Sequence, residues 1–169
     1  MAAKAERRRF SRYDGGMHEF NARVIWEGNR GDGTSSYATY GRQYRTVIEG
    51  KPDLHGSAAP EFRGEAERHN PEDLFLAAVS ACHMLTYLAL CARQRISVLT
   101  YEDHATGNLV LESNGGGRFE SITLHPAVTI AAGADVAKAT ALHEKAHELC
   151  FIANSSSAPI HHKPTIVVE

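Results

Sequence analysis

The hydrophobic and polar positions of this chain alternate in some segments and follow a helical period in others. Loose alternation over residues 18–26 predicts a first strand, which ends at the glycine-rich turn of residues 27–33. Spaced aromatic and β-branched side chains over residues 34–49 predict a second strand or hairpin arm. Residues 53–69 are rich in Gly, Pro, Ser and charge, which predicts a long surface loop.

The clearest element is a helix that follows this loop and runs to about Arg95. Asn70 is a good N-cap, and Pro71 occupies the position where the missing N–H costs nothing. Glu72 and Asp73 then favour the positive end of the helix dipole. These signals fix the start of the helix.

This helix is apolar on all sides, since residues 74–92 contain only Ser80, His83 and Thr86 as clearly polar side chains. Such a stretch is long enough to span a bilayer, but it is also typical of a core helix enclosed by a sheet or by a partner chain. The chain has no second candidate span and is otherwise ordinary soluble sequence. We therefore favour the core helix and expect no membrane association.

The rest of the chain predicts more strands and a second helix. Strand-like runs at residues 97–104, 109–112 and 121–130 suggest a meander. A helical period runs from Asp135 to Cys150, and residues 164–168 predict a last strand. The order predicts an α+β fold, with no repeated βαβ unit and no glycine-rich phosphate loop.

The composition and charge of the chain argue against several classes of function. The chain has 169 residues, 43% of them hydrophobic and 22% charged, as in a soluble protein with one compact domain. A formal net charge of −2 gives no basic footprint for nucleic acid or an anionic membrane. The basic run at residues 7–9 lacks an apolar segment behind it and is not a secretory signal. We expect a flexible N-terminus over residues 1–17, a single domain over 18–169 and a cytoplasmic location.

A zinc-hydrolase signature is present in the second helix, where His143, Glu144 and His147 have the spacing of two metal ligands and a base. A third ligand would have to come from His161, His162 or Glu169, and no following helix presents them. We therefore favour histidines on the polar face of an amphipathic helix and predict no metal site.

Three cysteines give no even disulfide framework, and in a reducing compartment a disulfide is more often catalytic or redox-sensing than structural. Cys82 lies inside the apolar helix, where a single thiol is usually packing. Cys150 follows the second helix and could approach Cys82 to disulfide range, about 4.4 to 6.8 Å between Cα atoms. Cys91 lies too far along the same helix to reach Cys82 and is interpreted as a buried, inert cysteine.

These segments resemble the OsmC/Ohr peroxide-resistance proteins. The resemblance rests on the helix opening Asn70-Pro-Glu-Asp-Leu74, on Ala81-Cys82-His83 within that helix, and on Ala146-His-Glu-Leu-Cys150 followed by Asn154-Ser155. It covers about residues 18–169, and the order and spacing of the two cysteine contexts make it specific. The chain most resembles an OsmC-like branch with a histidine after the first cysteine and a longer loop before the helix.

The resemblance implies an OsmC-like fold, with antiparallel sheets around long central helices in an intertwined homodimer whose sites lie at the interface. It implies a thiol-dependent peroxidase of organic hydroperoxides, with Cys82 as the peroxidatic thiol, Cys150 as the resolving thiol and Glu72 as the helix-start carboxylate. The activating arginine is expected to be Arg42, with Arg63 second.

The expected chemistry uses two thiols, an arginine and a carboxylate that orients the arginine. A guanidinium beside Cys82 would stabilise its thiolate and the departing alkoxide, and a carboxylate would orient that guanidinium. Cys82 becomes a sulfenic acid and condenses with Cys150 to a disulfide, which an external dithiol, lipoyl-type or other, reduces. No metal or cofactor is required. The alternative is a stress or binding protein that keeps the OsmC fold with little peroxidase turnover.

Overall fold

The computed structural model of the protein describes residues 16–169, so the predicted flexible N-terminus falls almost wholly outside the described residues. The chain divides into two compact units, one ending at His55 and the other comprising Gly56–Glu169. The single domain expected over residues 18–169 stays a prediction.

The N-terminal unit contains a three-stranded sheet of order β1-β2-β3, with β1 at Arg23–Trp26, β2 at Tyr44–Val47 and β3 at Leu54–Gly56. Strands β1 and β2 are antiparallel. The predicted first strand is correct only for its last residues. The second prediction was too long, because residues 34–43 form turns and bends before β2.

The second unit contains three helices and two mixed sheets of order β4-β7-β9 and β5-β6-β8. Within each sheet the first pair of strands is antiparallel and the second pair is parallel. The elements are α1 at Pro71–Arg93, β4 at Val98–Asp103, β5 at Thr106–Leu111, β6 at Gly117–Leu124, β7 at Pro126–Ile130, α2 at Val136–Leu149, α3 at Phe151–Asn154, β8 at Ile160–His162 and β9 at Thr165–Val168.

The predicted meander is wrong, because β4 pairs with β7 and not with β5. The predicted strand over residues 121–130 is two strands in different sheets, separated at His125. The His125 N–H donates to Asp103 Oδ1 at 2.7 Å and is thereby withdrawn from a continuous ladder. The predicted loop over residues 53–69 was also partly wrong, since it holds β3 and a 3-10 helix at Pro60–Phe62.

Helix α1 begins where the sequence predicts and for the predicted reason. The Asn70 side chain accepts from the Asp73 N–H at 2.8 Å, and the Asp73 carboxylate accepts from the Asn70 N–H at 3.3 Å. This reciprocal capping box satisfies two backbone donors that a helix start otherwise leaves open. The cap therefore fixes the first residue of the helix that carries Glu72 and Cys82.

One stripe of α1 is buried, at a spacing of four residues, and consists of Val79, His83, Tyr87 and Cys91. Its C-terminal part packs in a core cluster with β7 and α2, and its N-terminal part packs on Ile122 and Leu124 of β6. A spacing of four keeps the side chains on one face of a helix. Two of the four positions are polar aromatic side chains, so this core is not a purely apolar one.

Outside this stripe, about half of the positions of α1 are exposed and the others are half-buried. By length and composition the helix could cross a membrane, and only 22% of its most apolar 18-residue window is buried. Leu85 is 63% exposed. Because solvent contact of such a surface is unfavourable, α1 presents a face that favours coverage by another apolar surface.

Loss of the cap should destabilise the protein. We expect Asn70→Ala to lower the free energy of unfolding by about 1 kcal/mol, because the Asp73 N–H loses the side-chain oxygen that accepts from it. Urea unfolding followed by circular dichroism measures the change. Asn108→Ala on β5, where the amide makes only a 3.5 Å contact with Ser121, is the matched control. An equal loss in both variants would contradict the capping argument.

Candidate functional site: a pair of thiols between two helices

The two cysteines singled out from the sequence lie in contact. Cys82 is half-buried in the middle of α1, and Cys150, 1% exposed, follows the last residue of α2. Burial, and secondly the hydrogen bond between the two thiols, raises the pKa of Cys150 to about 11. Both thiols are free. The site is therefore a reduced dithiol pair held between two helices.

A short helix that sequence reasoning missed holds the Cys150 sulfur. Cys150 is the N-cap of α3, and its Sγ accepts from the Ala153 N–H at 3.4 Å. The Asn154 side chain donates to the Glu148 carbonyl at 2.9 Å and ties α3 back to the end of α2. The Asn154-Ser155 segment after the cysteine was visible in the sequence, but cysteine is not among the usual N-cap residues.

The raised pKa assigns Cys150 a definite protonation state. Its thiol stays protonated near neutral pH, so it does not compete for an oxidant as a free thiolate. Once Cys82 carries a leaving hydroxyl, Cys150 can attack that sulfur as its own proton passes to the hydroxyl, which leaves as water. The pair can therefore form a disulfide when Cys82 is oxidised first.

The helix-start carboxylate lacks a partner. Glu72 Oε2 is buried and accepts no hydrogen bond from any residue in the range 16–169. Glu72 and Cys82 are ten residues apart on α1, about 15 Å along its axis, so the structure does not bring them together within one chain. A buried carboxylate oxygen without a donor is costly, so Glu72 Oε2 is available to accept a hydrogen bond.

Arg42, the arginine preferred from the sequence, belongs to the N-terminal unit and is held there by two tyrosines. Its guanidinium donates to the Tyr40 carbonyl at 2.5 Å and to the Tyr37 carbonyl at 2.6 Å. It also lies 4.0 and 4.4 Å from the centroids of the two tyrosine rings. Its predicted role toward Cys82 is not tested by these contacts and stays a prediction.

Arg63, the second choice, lies in the same unit as the thiols. It ends the 3-10 helix with a left-handed backbone, φ 64°. Its side chain is exposed and makes no hydrogen bond or ion pair with another residue of the described chain. Both arginines therefore remain candidates.

The sequence singled out His143 and His162 as candidate zinc ligands but did not indicate that they group with His83, the neighbour of Cys82. His83 Nε2 and His143 Nδ1 lie 3.0 Å apart, and both side chains are buried, at 1% and 0% exposure. His162 of β8 lies 5.7 Å from His83 between ring centroids, and its Nε2 lies 3.2 Å from Glu144 Oε2. The signal that could have found His83 was its position on the stripe with Val79 and Cys91.

Burial governs the charge of this histidine pair. Burial, and then the positive charge of His162, lowers the pKa of His83 to about 4. Burial, and then His83 and His162, lowers the pKa of His143 to about 3. The pair is therefore neutral at physiological pH, with one imidazole N–H donating to the other ring.

The two histidines of the zinc-hydrolase signature do not face a common metal position. His143 contacts His83 on α1, whereas His147 lies 5.9 Å from His162 between ring centroids. Within residues 16–169 no group of three or more His, Cys, Asp and Glu side chains could hold a metal ion. The two histidines of the signature therefore serve different contacts, and His143 is not on a polar face.

An open cavity of about 560 Å³ lies beside the other face of α1. Ser80 and Met84 line it from the helix, and Tyr101 and Asp103 line it from β4. Ser80 Oγ donates to Asp103 Oδ2 at 2.5 Å. Met84 gives this cavity an apolar wall, whereas Phe75 of the same helix packs against the core cluster of Val79.

Comparison with known proteins gives a consistent picture of the fold. The family model described as OsmC-like protein matches residues 64–165. The uncharacterised protein YmaD of Bacillus subtilis is 26% identical over 141 residues, which cover 82% of this chain and 86% of that protein. An OsmC-like protein of unknown function from Vibrio cholerae superimposes with a TM-score of 0.79 at 30% identity, covering 88% of this chain and 100% of its own.

A more distant structural neighbour carries a functional name. The organic hydroperoxide resistance protein OhrB of Bacillus subtilis superimposes with a TM-score of 0.55 at 24% identity, covering 88% of this chain and 98% of its own. At that identity the likeness shows the shared fold alone.

The buried histidines should make the protein acid-sensitive. Their folded pKa values lie below the unfolded value near 6.5, so only the unfolded chain takes up protons as the pH falls from about 6.5 towards 4. The free energy of unfolding should then decrease by about 1.4 kcal/mol per pH unit for each histidine. Urea unfolding at a series of pH values measures this slope.

The slope should shrink in His83→Gln, which keeps a polar atom near the Nε2 position but cannot titrate. His161→Asn, at an exposed position on β8, is the control and should keep the wild-type slope. A wild-type slope in His83→Gln would show that His83 is not one of the groups responsible.

Proposed function

Because the chain belongs to the OsmC-like family, we propose that it is a thiol-dependent peroxidase that reduces organic hydroperoxides to alcohols. The observation that carries the proposal is the contact between the free thiols of Cys82 and Cys150. Such a pair in an intracellular protein is more often redox-active than structural. The hydroperoxide-resistance name of the Bacillus OhrB neighbour supports the same substrate class.

The proposed cycle oxidises the two thiols by two electrons. The Cys82 thiolate attacks the peroxide, so that an S–O bond forms, the O–O bond breaks and the alkoxide leaves as an alcohol after protonation. Cys150 then attacks the sulfenic sulfur, an S–S bond forms, and the hydroxyl leaves as water with the Cys150 proton. An external dithiol, of lipoyl type or another, reduces the disulfide. No metal or cofactor takes part in these steps.

An arginine supplies the positive charge for the first step. A guanidinium next to Cys82 stabilises the thiolate and the developing alkoxide. Glu72 Oε2, buried without a donor, is the acceptor that would orient it by a charge-assisted hydrogen bond. Arg42 is preferred, and it has to leave the two tyrosines that hold its guanidinium; Arg63 is second.

The complete site includes a second copy of the chain. One guanidinium cannot contact both Glu72 and Cys82 of the same helix, because they lie about 15 Å apart along its axis. The uncovered apolar face of α1, with Leu85 63% exposed, is suited to pack against another α1. In a homodimer built on α1, Glu72 of one copy can serve the thiol pair of the other. We place the enzyme in the cytoplasm, where dithiol reductants are available.

One observation favours the alternative of an OsmC-fold binding or stress protein with little turnover. The Arg42 guanidinium is engaged by two carbonyls and two aromatic rings. If those contacts persist, Cys82 lacks its preferred activating cation. The two readings differ in whether Cys82 reacts with peroxide, which the cysteine variants measure directly.

The cysteines should have separable roles. With cumene hydroperoxide, the wild-type protein should form a Cys82–Cys150 disulfide, detected by mass spectrometry of the linked peptides. Cys82→Ser should reduce peroxide consumption more than about a thousandfold, because the nucleophile is gone. Cys150→Ser should react once and leave a Cys82 sulfenic acid that dimedone traps.

Cys91→Ser is the matched control, since that thiol is buried away from the pair and should leave peroxide consumption unchanged. Full turnover in Cys82→Ser, or both thiols remaining reduced in the wild type, would rule out the peroxidase.

The arginine assignment is tested separately. We expect Arg42→Ala to lower the second-order rate of Cys82 oxidation about a hundredfold, because a charge that stabilises the transition state is lost. Stopped-flow measurement of sulfenic acid formation in the Cys150→Ser background gives this rate. Arg63→Ala should change it less, and Arg93→Ala at the end of α1 is the control. A large loss in Arg63→Ala alone would transfer the role to Arg63.

A further inference from the structure

The interface between α1 and α2 contains little that fixes how the two helices align. On the α2 side, fully buried positions include Ala139 and Ala146, which pack in the core cluster with Tyr87 and Cys91 of α1. Small apolar side chains contribute packing that is not directional and tolerates a shift of one helix along the other. A directional contact is needed to select one alignment.

The histidine pair provides that contact. Apart from the thiols, His83 and His143 make the one hydrogen bond between α1 and α2 side chains within the described part of the chain. Their rings are nearly coplanar, with an interplanar angle of 9°, and their centroids lie 5.3 Å apart. That separation exceeds the 3.0 Å nitrogen distance by about one ring diameter, so the two nitrogens point straight at each other.

We infer that the His83–His143 hydrogen bond positions the redox thiols, by fixing the alignment of α2 against α1 so that Cys150 rests on Cys82. The inference takes the thiol pair of the proposed function as the object that is positioned. Both histidines are positioning residues and neither takes part in the thiol chemistry.

The spacing of the residues supports this role. His83 is the neighbour of Cys82 on α1, and Cys150 directly follows the end of α2, seven residues or about two helical turns after His143. α2 is therefore anchored at two points, in its middle by the histidine and at its end by the thiol. A shift of α2 by one residue would rotate both groups by about 100° and separate both pairs.

A misaligned state is also penalised by burial. Both imidazoles are at most 1% exposed, and a buried polar group that loses its hydrogen-bond partner destabilises the folded state. The His143 ring is held as well by Tyr87, which stacks on it at 3.8 Å between centroids. A buried polar contact within an otherwise apolar helix interface is the device that fixes register in coiled coils.

The test measures the tendency of the two thiols to pair without using any peroxide. In glutathione buffers, the reduced protein and one glutathione disulfide exchange to give the Cys82–Cys150 disulfide and two reduced glutathiones. The equilibrium constant reports the effective concentration of one thiol at the other. Mass spectrometry after acid quenching gives the fractions, and urea unfolding gives the stability of each variant.

His143→Leu and His83→Leu should lower this equilibrium constant about tenfold, since the directional contact is lost. The conservative variants His143→Asn and His83→Gln, which keep a polar atom near Nδ1 and Nε2 respectively, should recover most of it. Cys91→Ala removes volume from the same core without touching the hydrogen bond and should lower the stability alone.

The inference is overturned if the leucine variants are less stable but keep the wild-type equilibrium constant, because the histidines would then only stabilise the fold. If a leucine variant does not fold, the asparagine and glutamine variants decide. They should hold the equilibrium constant near the wild-type value, and a tenfold fall in both would overturn the inference.

The result of the glutathione experiment does not depend on whether the protein is a peroxidase. Should the wild-type thiols fail to react with cumene hydroperoxide while the glutathione equilibrium still depends on the histidines, the proposed function fails and the positioning role stands. If the thiols react with the peroxide but pair equally well in every histidine variant, the proposed function stands and the positioning role fails.

Discussion

The rest of the structure depends on the packing of α2 against one stripe of α1. The stripe places two polar aromatic side chains, His83 and Tyr87, between Val79 and Cys91. Cys82 lies just beside it and meets Cys150 from the end of α2. Burial at this interface keeps the histidines neutral and keeps Cys150 protonated. One packing constraint thus sets both the geometry and the charge of the site.

Two demands on α1 are in tension. The stripe pairs His83 with His143 inside the chain, whereas within residues 16–169 Glu72 Oε2 at the start of the helix has no hydrogen-bond partner and Leu85 on its outer side is exposed. A carboxylate oxygen needs a hydrogen-bond donor, and an apolar surface needs to be shielded from water. An association of two chains that covers α1 could meet both needs. The features that one copy leaves unsatisfied are therefore informative about the assembly, in the same way that its satisfied contacts are informative about the fold.

Local signals in the sequence predicted the two long helices, α1 and α2, well and the pairing of the strands poorly. The α1 start follows from Asn70 and Pro71, whose effects act within one turn, and the period of α2 is equally local. Strand pairing is not local: β4 meets β7, and β8 lies in parallel beside β6, through contacts that no short window records. The same limit applied to the site. The cysteines were found from their contexts, but the partner of His83 is on another helix, and a histidine on an apolar helix gives no sign of what it meets.

The parallel pairings of β8 with β6 and of β9 with β7 affect the order in which parts of the chain fold. Both strands follow α2 in the chain and pair with strands that precede it, so each closes a loop that contains the helix. Such contacts are slow to form, whereas a capped helix such as α1 can form early from local interactions. Cys82 is therefore made and folded into its helix well before Cys150 reaches it. In that interval the Cys82 thiol lacks the contact with Cys150 that it makes in the folded chain.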